Sequence, residues 1–505
     1  MNVFETLARS AQQFADRTAI IDTGGAMDYR SLWREVEALR VQLDRLGVRQ
    51  GQGVGIRARN GRAFVIGGLA ALGCGAVVMP IHHQVKPNEL SEMLAKAPLC
   101  AILDDGGGGP LPGIQRATDP SLMVGALSGD RPSVAALSNG LRFTRLDNSQ
   151  APLAPQIADA AFVRFTSGTT GAAKGVVLTH RDILERIAAA NSGLKLTHED
   201  TILWVLPMAY HFYVSIILYL EAGATILVGG DYLADSILDS AAQHRATFLY
   251  VTPMHIRLLN SAPSGRVLPP SLRRVMSVSS KLNPQSARDF HGRYNVPVSQ
   301  GYGIIEVGLP IMNVTEAAEH PEAIGRPVAS FEAMIVRDTV RRAGTSGLQN
   351  LDMQPVVDGE TGQLAVRGPG IFSGYLNPPR LRPDILRDGF FLTGDLAHRD
   401  SSGLIVLDGR TSSVIHVAGH KVFPEEVAAV LDSHPAIMRS RVFGRQHPQW
   451  GEAVHAEAQL RNGGHVTSDE ILTFCRRRLS SQKVPVSIEF VPEVSMTSSG
   501  KVRHG

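Results

Sequence analysis

Residues 165–175 combine hydroxyl side chains, glycines and a single lysine, Lys174, in one short stretch. Glycines let backbone N–H groups come close to an anion, hydroxyls add hydrogen-bond donors, and a lysine adds a point charge. This set of groups suits a polyphosphate. Apolar runs at 161–165 and 175–178 flank the stretch, which is therefore predicted to be the tip of a β-hairpin. A Walker-type phosphate loop instead opens a helix and needs Gly immediately before Lys and Ser or Thr after it, whereas Ala173 precedes Lys174 here and Gly175 follows it.

Further short motifs follow in order along the chain. They are Gln300-Gly301-Tyr302-Gly303-Ile304-Ile305-Glu306, Thr393-Gly394-Asp395, Asp408-Gly409-Arg410 with Gly419 downstream, and Thr497-Ser498-Ser499-Gly500-Lys501. Together with the hairpin tip, they resemble the adenylate-forming superfamily: acyl- and aryl-CoA synthetases, nonribosomal adenylation domains and luciferases. Ala173 stands where the family usually has Pro, and Ile305 where it has Thr. The first hundred residues also fit, so the resemblance covers almost the whole chain.

The resemblance implies an α/β fold, in which a large layered N-terminal domain is followed by a small, mobile α+β C-terminal domain. Apolar strands do alternate with helical periods through the first 330 residues, as expected of α/β layers. We expect residues 1–409 to bind ATP and the acid, 410–413 to form a hinge, and 414–505 to form a lid that carries the catalytic lysine. Ser413 takes the place of the usual charged hinge residue.

Composition excludes several classes of protein. The 505 residues include 50 Lys and Arg against 47 Asp and Glu, a net charge of +3, which is no footprint of a nucleic-acid-binding protein. Three widely spaced cysteines have neither metal-ligand nor disulfide spacing. Neither a signal peptide nor a transmembrane segment is evident, so a soluble, cytoplasmic protein is expected.

The resemblance implies that ATP activates a carboxylic acid as an acyl-adenylate, and that Lys501 bridges the acid and the α-phosphate. It also implies catalytic roles for Thr166, Lys174 and Glu306. Magnesium, a hard cation, is assigned to Glu306 and Thr170. The residues expected to hold the phosphates are Thr166, Ser167, Gly168, Thr169, Thr170, Gly171 and Lys174.

The same resemblance assigns the rest of the nucleotide. Tyr302 is expected along the adenine ring, with Gly303 beside it, and Asp395 on both ribose hydroxyls. Arg410 is expected on the ribose or phosphate side. The family's adenine loop is altered here, because Ser279 and Ser280 replace Gly and Ala; the adenine contact is carried over to Ser280.

The segment 207–213 corresponds to the lining of the acid pocket. Tyr210 falls at a gating position, and His211 at the position that reads a polar group on the acid in aryl-acid and amino-acid activators. An apolar or aromatic acid with a polar substituent is expected, although His211 is equally compatible with a wall position that touches no substrate. Gly301 is assigned to the acid site, and Gly419 to the path of the incoming thiol.

The motifs leave the second step open. CoA is the expected acceptor, and the phosphopantetheine of an acyl or peptidyl carrier protein is the alternative, since both present the same thiol arm. A non-catalytic nucleotide-binding protein and a luciferase-like oxidative enzyme are further alternatives. The retained Lys501 argues against mere nucleotide binding, which does not need it.

Overall fold

The computed structural model describes residues 2–109, 111, 134–137, 139–146, 151–165, 174–231, 233–337, 353–411, 413–417, 420–447, 450–461 and 466–495. Strands in these parts of the chain form four sheets. They are β1 (Thr18–Asp22), β2 (Gly25–Asp28), β3 (Gly53–Arg57), β4 (Val77–Pro80), β5 (Leu99–Asp104), β6 (Val134–Ala136), β7 (Arg142–Arg145), β8 (Ala160–Phe165), β9 (Gly175–Thr179), β10 (Thr201–Trp204), β11 (Thr225–Val228), β12 (Phe248–Val251), β13 (Arg274–Ser277), β14 (Val298–Ile304), β15 (Gly308–Asn313), β16 (Arg326–Pro327), β17 (Glu332–Val336), β18 (Gly362–Arg367), β19 (Gly374–Tyr375), β20 (Arg380–Leu381), β21 (Phe391–Arg399), β22 (Ile405–Arg410), β23 (Ile415–Val417), β24 (His420–Val422), β25 (Ile437–His447), β26 (Gly451–Leu460) and β27 (Ser487–Phe490).

Helices cover the sheets. They are α1 (Val3–Gln13), α2 (Tyr29–Arg45), α3 (Arg62–Gly73), α4 (Pro87–Lys96), α5 (His180–Leu194), α6 (Met208–His211), α7 (Ile217–Glu221), α8 (Ala234–Gln243), α9 (Pro253–Asn260), α10 (Pro284–Tyr294), α11 (Arg382–Ile385), α12 (Pro424–Asp432) and α13 (Ser468–Arg476), with a π-helix at Phe212–Ile216 and a 3-10 helix at Ser481–Lys483. Many begin at side-chain caps that the sequence supplies. Thr179 and Asp182, for example, form a reciprocal capping box at the start of α5.

Two large sheets share one apolar core. The first has the order β16-β15-β14-β13-β12-β10-β11-β1-β2, and the second the order β20-β19-β9-β8-β4-β3-β5-β7-β6. The central strands of each run parallel, and they are short apolar runs because helices or the other sheet cover both faces. The shared core is built from residues of both sheets with α2, α3 and α5 between them, while α8, α9 and α10 cover the outer face of the first sheet. The predicted α/β layering is therefore confirmed.

The described residues between Ile415 and Phe490 build a separate core. A sheet of order β24-β23-β26-β25, with β27 beside β26, packs against α12 and α13. Before it, β17, β18, β21 and β22 form a four-stranded antiparallel sheet. β22 begins at Ile405 and continues to Arg410, so the first residue of the predicted hinge lies within a strand.

His255 gives the fold a dependence on pH. It lies in α9, and its Nδ1 is 2.8 Å from the hydroxyl of the N-cap Thr252. Burial lowers the pKa of His255 from 6.5 to about 4. Well above pH 6.5 the His255 imidazole is neutral in both the folded and the unfolded chain. As the pH falls below 6.5, the imidazole binds a proton in the unfolded chain but stays neutral in the folded chain until the pH nears 4. Its contribution to stability is therefore lost as the pH falls from 6.5 towards 4.

Replacing His255 by glutamine should remove this dependence, because glutamine can still serve the capping box but does not titrate. We expect the melting temperatures of the variant and the wild type to agree near pH 8, and the variant to melt higher near pH 5. Calorimetry over that range measures this. Parallel curves for the two proteins would contradict the assigned pKa.

Candidate nucleotide and acid site

The glycine-rich stretch does connect two paired strands. β8 and β9 are antiparallel, with Phe165 opposite Gly175, so the predicted hairpin is confirmed. Lys174 precedes β9, and its ammonium lies 5.1 Å from the centre of the Tyr375 ring. The tip itself, with Thr166, Ser167, Gly168, Thr169, Thr170 and Gly171, lies outside the described residues, as do Gly419 and Lys501. Their assigned roles stay predictions.

Glu306 occupies the turn between β14 and β15. One of its carboxylate oxygens, Oε1, accepts a hydrogen bond from the hydroxyl of Tyr375 at 3.2 Å. Burial raises the pKa of Glu306, opposed by the Tyr375 hydrogen bond and the charges of Arg164 and Arg410. Within the described residues no lysine or arginine forms a salt bridge with it. A half-buried carboxylate with no salt-bridge partner in the described parts of the chain fits a hard metal ion such as Mg²⁺, which favours carboxylate and phosphate oxygens.

Tyr302, Asp395 and Arg410 meet although they come from three strands, β14, β21 and β22. The Tyr302 hydroxyl donates to Oδ2 of Asp395 at 2.6 Å, and Nε of Arg410 lies 2.7 Å from Oδ1. Asp395 is only 5% exposed. The carboxylate raises the pKa of Arg410, while burial, with this negative charge beside it, raises that of Tyr302. Each carboxylate oxygen still has a free lone pair, so a ribose hydroxyl can bind each one alongside the protein donor.

The two glycines of the motif at residues 300–306 have different surroundings. A Cβ at Gly303 would lie 2.3 Å from the carbonyl oxygen of Gly308, so the strand-to-turn approach requires glycine there. A Cβ at Gly301 would meet the Met276 sulfur at 2.8 Å. Gly301 therefore borders a buried apolar wall.

The altered adenine loop follows β13. Ser279 has a φ of 77°, a left-handed conformation that is costly for residues other than glycine. Ser280, the residue assigned to the adenine, is exposed. Lys281 donates from its ammonium to the carbonyl oxygen of Leu407 at 2.6 Å, which ties the loop to β22. The loop keeps the backbone shape that a glycine would take most easily.

The predicted acid-lining segment forms α6 and the π-helix. The Tyr210 ring stacks on His82 at 5.5 Å between ring centres, nearly parallel. The Arg164 guanidinium lies 5.3 Å from the same ring and donates to the Tyr210 carbonyl. His211 lies edge-on to Trp204, at 5.3 Å between ring centres. Tyr210 and His211 are thus held in an aromatic and cationic setting at the carboxyl ends of parallel strands, where α/β proteins bind ligands.

Comparison with protein families matches this arrangement. The pattern described as "AMP-binding enzyme" covers residues 7–376, and that described as "AMP-binding enzyme C-terminal domain" covers 426–501. The chain belongs to the AMP-binding enzyme family. The predicted resemblance and the predicted class, an AMP-forming acid–thiol ligase, are confirmed.

Several relatives of this AMP-binding enzyme align over nearly their full length. A sulfoacetate–CoA ligase of Cupriavidus necator is 28% identical and covers 99% of this chain and 97% of its own. A feruloyl-CoA synthase of an Amycolatopsis species is also 28% identical, over 98% and 96%. Among solved structures, the o-succinylbenzoate CoA synthetase of Bacillus subtilis, in complex with its acyl-adenylate intermediate, has a TM-score of 0.81 at 22% identity, over 99% and 96%. This structural likeness confirms the fold.

Some residues of this AMP-binding enzyme's site were not predicted from sequence. Tyr375, Arg164 and His82 contact predicted site residues but belong to none of the motifs. The sequence does contain a pattern that points to Arg186. This arginine lies on the apolar face of α5, in phase with Ile183, Ile187 and Ala190. A charge on such a face needs a special environment.

None of the helices in the described parts of the chain combines the length and the apolar character needed to span a membrane.

Proposed function

We propose that this enzyme is an ATP-dependent acid–CoA ligase that forms an acyl-adenylate and pyrophosphate, then transfers the acyl group to CoA. The observation that carries the proposal is the contact of Tyr302 and Arg410 with the buried Asp395, in a chain that the AMP-binding enzyme patterns match over residues 7–376 and 426–501. Tyr302 and Arg410 hold the Asp395 carboxylate in place, and we infer that this carboxylate binds the nucleotide.

The first step overcomes the poor reactivity of a carboxylate, whose leaving group would be oxide. An acid oxygen attacks the α-phosphate of ATP, the bond to the β-phosphate breaks, and pyrophosphate leaves. Charge accumulates on phosphate oxygens, so catalysis depends on donors and cations that are already placed. We assign these to the hairpin tip 166–171, to Lys174 and to Lys501. Glu306 and Thr170 would hold Mg²⁺, which supplies charge neutralisation on the phosphates when bound.

The second step replaces AMP by a thiol. The thiol sulfur attacks the acyl carbon, the thioester forms, and AMP leaves with the electron pair of the broken anhydride bond. We propose that the C-terminal region 414–505 turns about the hinge 410–413 between the two steps, relative to residues 1–409, and that Gly419 borders the thiol path. CoA is the proposed acceptor because the relatives that align over the full length are named as CoA ligases. A location in the cytoplasm follows, since ATP and CoA are found there.

Product analysis tests this function. The protein, ATP, Mg²⁺ and a panel of acids are incubated with CoA, or with a phosphopantetheinylated carrier protein, and the products are identified by mass spectrometry. We expect AMP, pyrophosphate and an acyl-CoA. Loading of the carrier alone would move the assignment to an acid–carrier-protein ligase. Nucleotide binding without pyrophosphate release from any acid would leave a non-catalytic nucleotide-binding protein.

For the acid we propose an apolar or aromatic body with a polar substituent read by His211. The names of the relatives do not indicate which acid this enzyme activates, because one is named for a small sulfonate and the other for an aromatic acid. The His211 ring lies edge-on to Trp204 and Tyr250, which leaves it among aromatic surfaces suited to such a body.

Replacing His211 by alanine should therefore change which acids are activated more than it changes the affinity for ATP. A site that hydrogen-bonds a substituent rejects analogues without it strongly, by about 10⁴-fold or more in favourable cases. Pyrophosphate release is measured for pairs of acids with and without a hydroxyl, oxo or second acidic group. The wild type is expected to prefer one substituted acid, and the variant to lose that preference. An equal loss on every acid would make His211 a wall residue.

A further inference from the structure

Arg186 is a buried cation that no carboxylate of the described residues pairs with in a salt bridge. It lies on α5 and is 1% exposed. Burial lowers the pKa of its guanidinium. A buried charge without a partner is costly, and a residue of similar size without charge would fill the same space. We therefore look for the role of Arg186 in the groups that its guanidinium hydrogen-bonds.

The guanidinium is satisfied by main-chain carbonyls. Nη1 donates to the carbonyl oxygen of Ile305 at 2.9 Å and Nη2 to that of Glu306 at 3.3 Å. Nε donates to the carbonyl of Gly370 at 3.0 Å. The flat fork of donors thus joins two segments far apart in sequence: the turn that carries Glu306 and the segment that begins at Gly370.

The second segment reaches Glu306 by two other routes. The Phe372 N–H donates to the Glu306 carbonyl at 2.8 Å. Three residues later, the Tyr375 hydroxyl donates to the Glu306 carboxylate. The backbone and the side chain of Glu306 are therefore both held by the segment that Arg186 binds at Gly370.

Gly370 makes this approach possible. Its φ is +66°, and a Cβ there would lie 2.4 Å from the carbonyl oxygen of Asp182 on α5. The backbone of the 370–375 segment therefore approaches the backbone of α5 directly at Gly370. The Tyr213 ring lies 5.5 Å from the Arg186 guanidinium and covers another side of it.

We propose that Arg186 is a positioning residue that fixes the Glu306 turn against the segment 370–375, and so sets the direction in which the Glu306 carboxylate faces Mg²⁺·ATP. The inference rests on the proposed function. Loss of the fork should release the turn, so the carboxylate and the Tyr375 hydroxyl no longer keep a common orientation. Residues that orient metal ligands typically contribute about 10–100-fold in metal affinity or activity.

Binding measurements test the proposal without turnover. ATP binding to the wild type and to Arg186→Met is followed by calorimetry, once with EDTA and once with excess Mg²⁺. With EDTA the two proteins should bind ATP alike. With Mg²⁺ the wild type should gain affinity, and the variant should lose most of that gain, about 10-fold or more. Equal binding by the two proteins in Mg²⁺, or an equal loss in both conditions, would overturn the proposal.

Half-reactions give the second readout. Arg186→Met should slow pyrophosphate release about 10–100-fold and raise the Mg²⁺ concentration for half-maximal rate. It should form acyl-CoA from supplied acyl-adenylate and CoA at nearly the wild-type rate, which also demonstrates folding. Arg186→Lys keeps the charge but cannot bridge residues 305, 306 and 370 together, so it should show the same pattern and serves if the methionine variant does not fold. Loss of both half-reactions in a folded lysine variant would mean a structural role only.

Arg382 offers the matched control. It binds the same segment, donating to the Phe372 carbonyl at 2.9 Å, but it pairs with Asp182, and in the described structure no hydrogen bond or salt bridge joins it to the Glu306 turn. Arg382→Met should leave the Mg²⁺ dependence of ATP binding close to that of the wild type; a matching loss would make the effect general to this corner. If the wild type itself releases no pyrophosphate with any acid, the proposed function fails. If the wild type is active and the Arg186 variants bind ATP and release pyrophosphate as the wild type does, the proposed function stands and only this inference fails.

Discussion

Replacing Lys501 by alanine is expected to slow acyl-adenylate formation by about 10²–10³-fold or more, while thioester formation from supplied acyl-adenylate continues. The ammonium is proposed to bridge the acid and the α-phosphate, where charge develops in the first step only. A cation fixed at a developing charge contributes several kcal/mol to the rate. Pyrophosphate release measures the first step, and acyl-CoA formation from synthetic acyl-adenylate measures the second.

Lys483 supplies the control for this variant. It belongs to the same C-terminal region and pairs with Glu426 at 2.7 Å. Lys483→Ala makes the same change in net charge, so it should leave the adenylation rate far closer to that of the wild type. Equal losses in the two half-reactions of the Lys501 variant would contradict the assignment of Lys501 to the first step alone.

Replacing Asp395 by alanine should weaken ATP binding by about 10²-fold or more. Two charge-assisted hydrogen bonds to the ribose hydroxyls would be lost, each contributing about 1.5–3 kcal/mol. The variant would also leave the half-buried Arg410 without its carboxylate partner, since Nε of Arg410 lies 2.7 Å from Asp395. Calorimetric titration with ATP in EDTA measures the affinity independently of the metal.

Asp200 is a suitable control because it is another buried aspartate with an arginine partner, Arg273, at 2.6 Å. It immediately precedes β10, at the amino ends of the parallel strands, opposite to the proposed site. Asp200→Ala should lower the melting temperature while leaving the ATP affinity unchanged. An unchanged ATP affinity in the Asp395 variant would remove Asp395 from the nucleotide site.

Much of the fold was predictable because its signals are local. Short apolar runs such as 247–251 and 201–206 are typical of buried strands, and β12 and β10 lie there. The flanking strands of the glycine-rich stretch predicted a hairpin, and β8 and β9 pair as expected. Ordered motifs carried the family, and with it the proposed nucleotide residues, because each motif keeps its chemistry within a few neighbouring positions.

Boundaries were less certain where tertiary pairing extends a strand. The predicted hinge begins at Arg410, yet β22 continues through that residue because it pairs with Asp395 on β21. The local sequence Asp408-Gly409-Arg410 has the character of a turn, and only the neighbouring strand makes it extended.

By itself, the sequence determined the family and the α/β layering, and it supplied the residues that are proposed to bind a nucleotide, since these depend on local composition and order. Tertiary structure alone decided what holds those residues. Tyr375 reaches Glu306 across 69 positions, and Arg186 reaches Gly370 across 184. Such contacts depend on the strand order of the sheets and on the close approach of α5 to Gly370, and no local pattern encodes either, because hydrogen bonds form wherever packing brings donor and acceptor together.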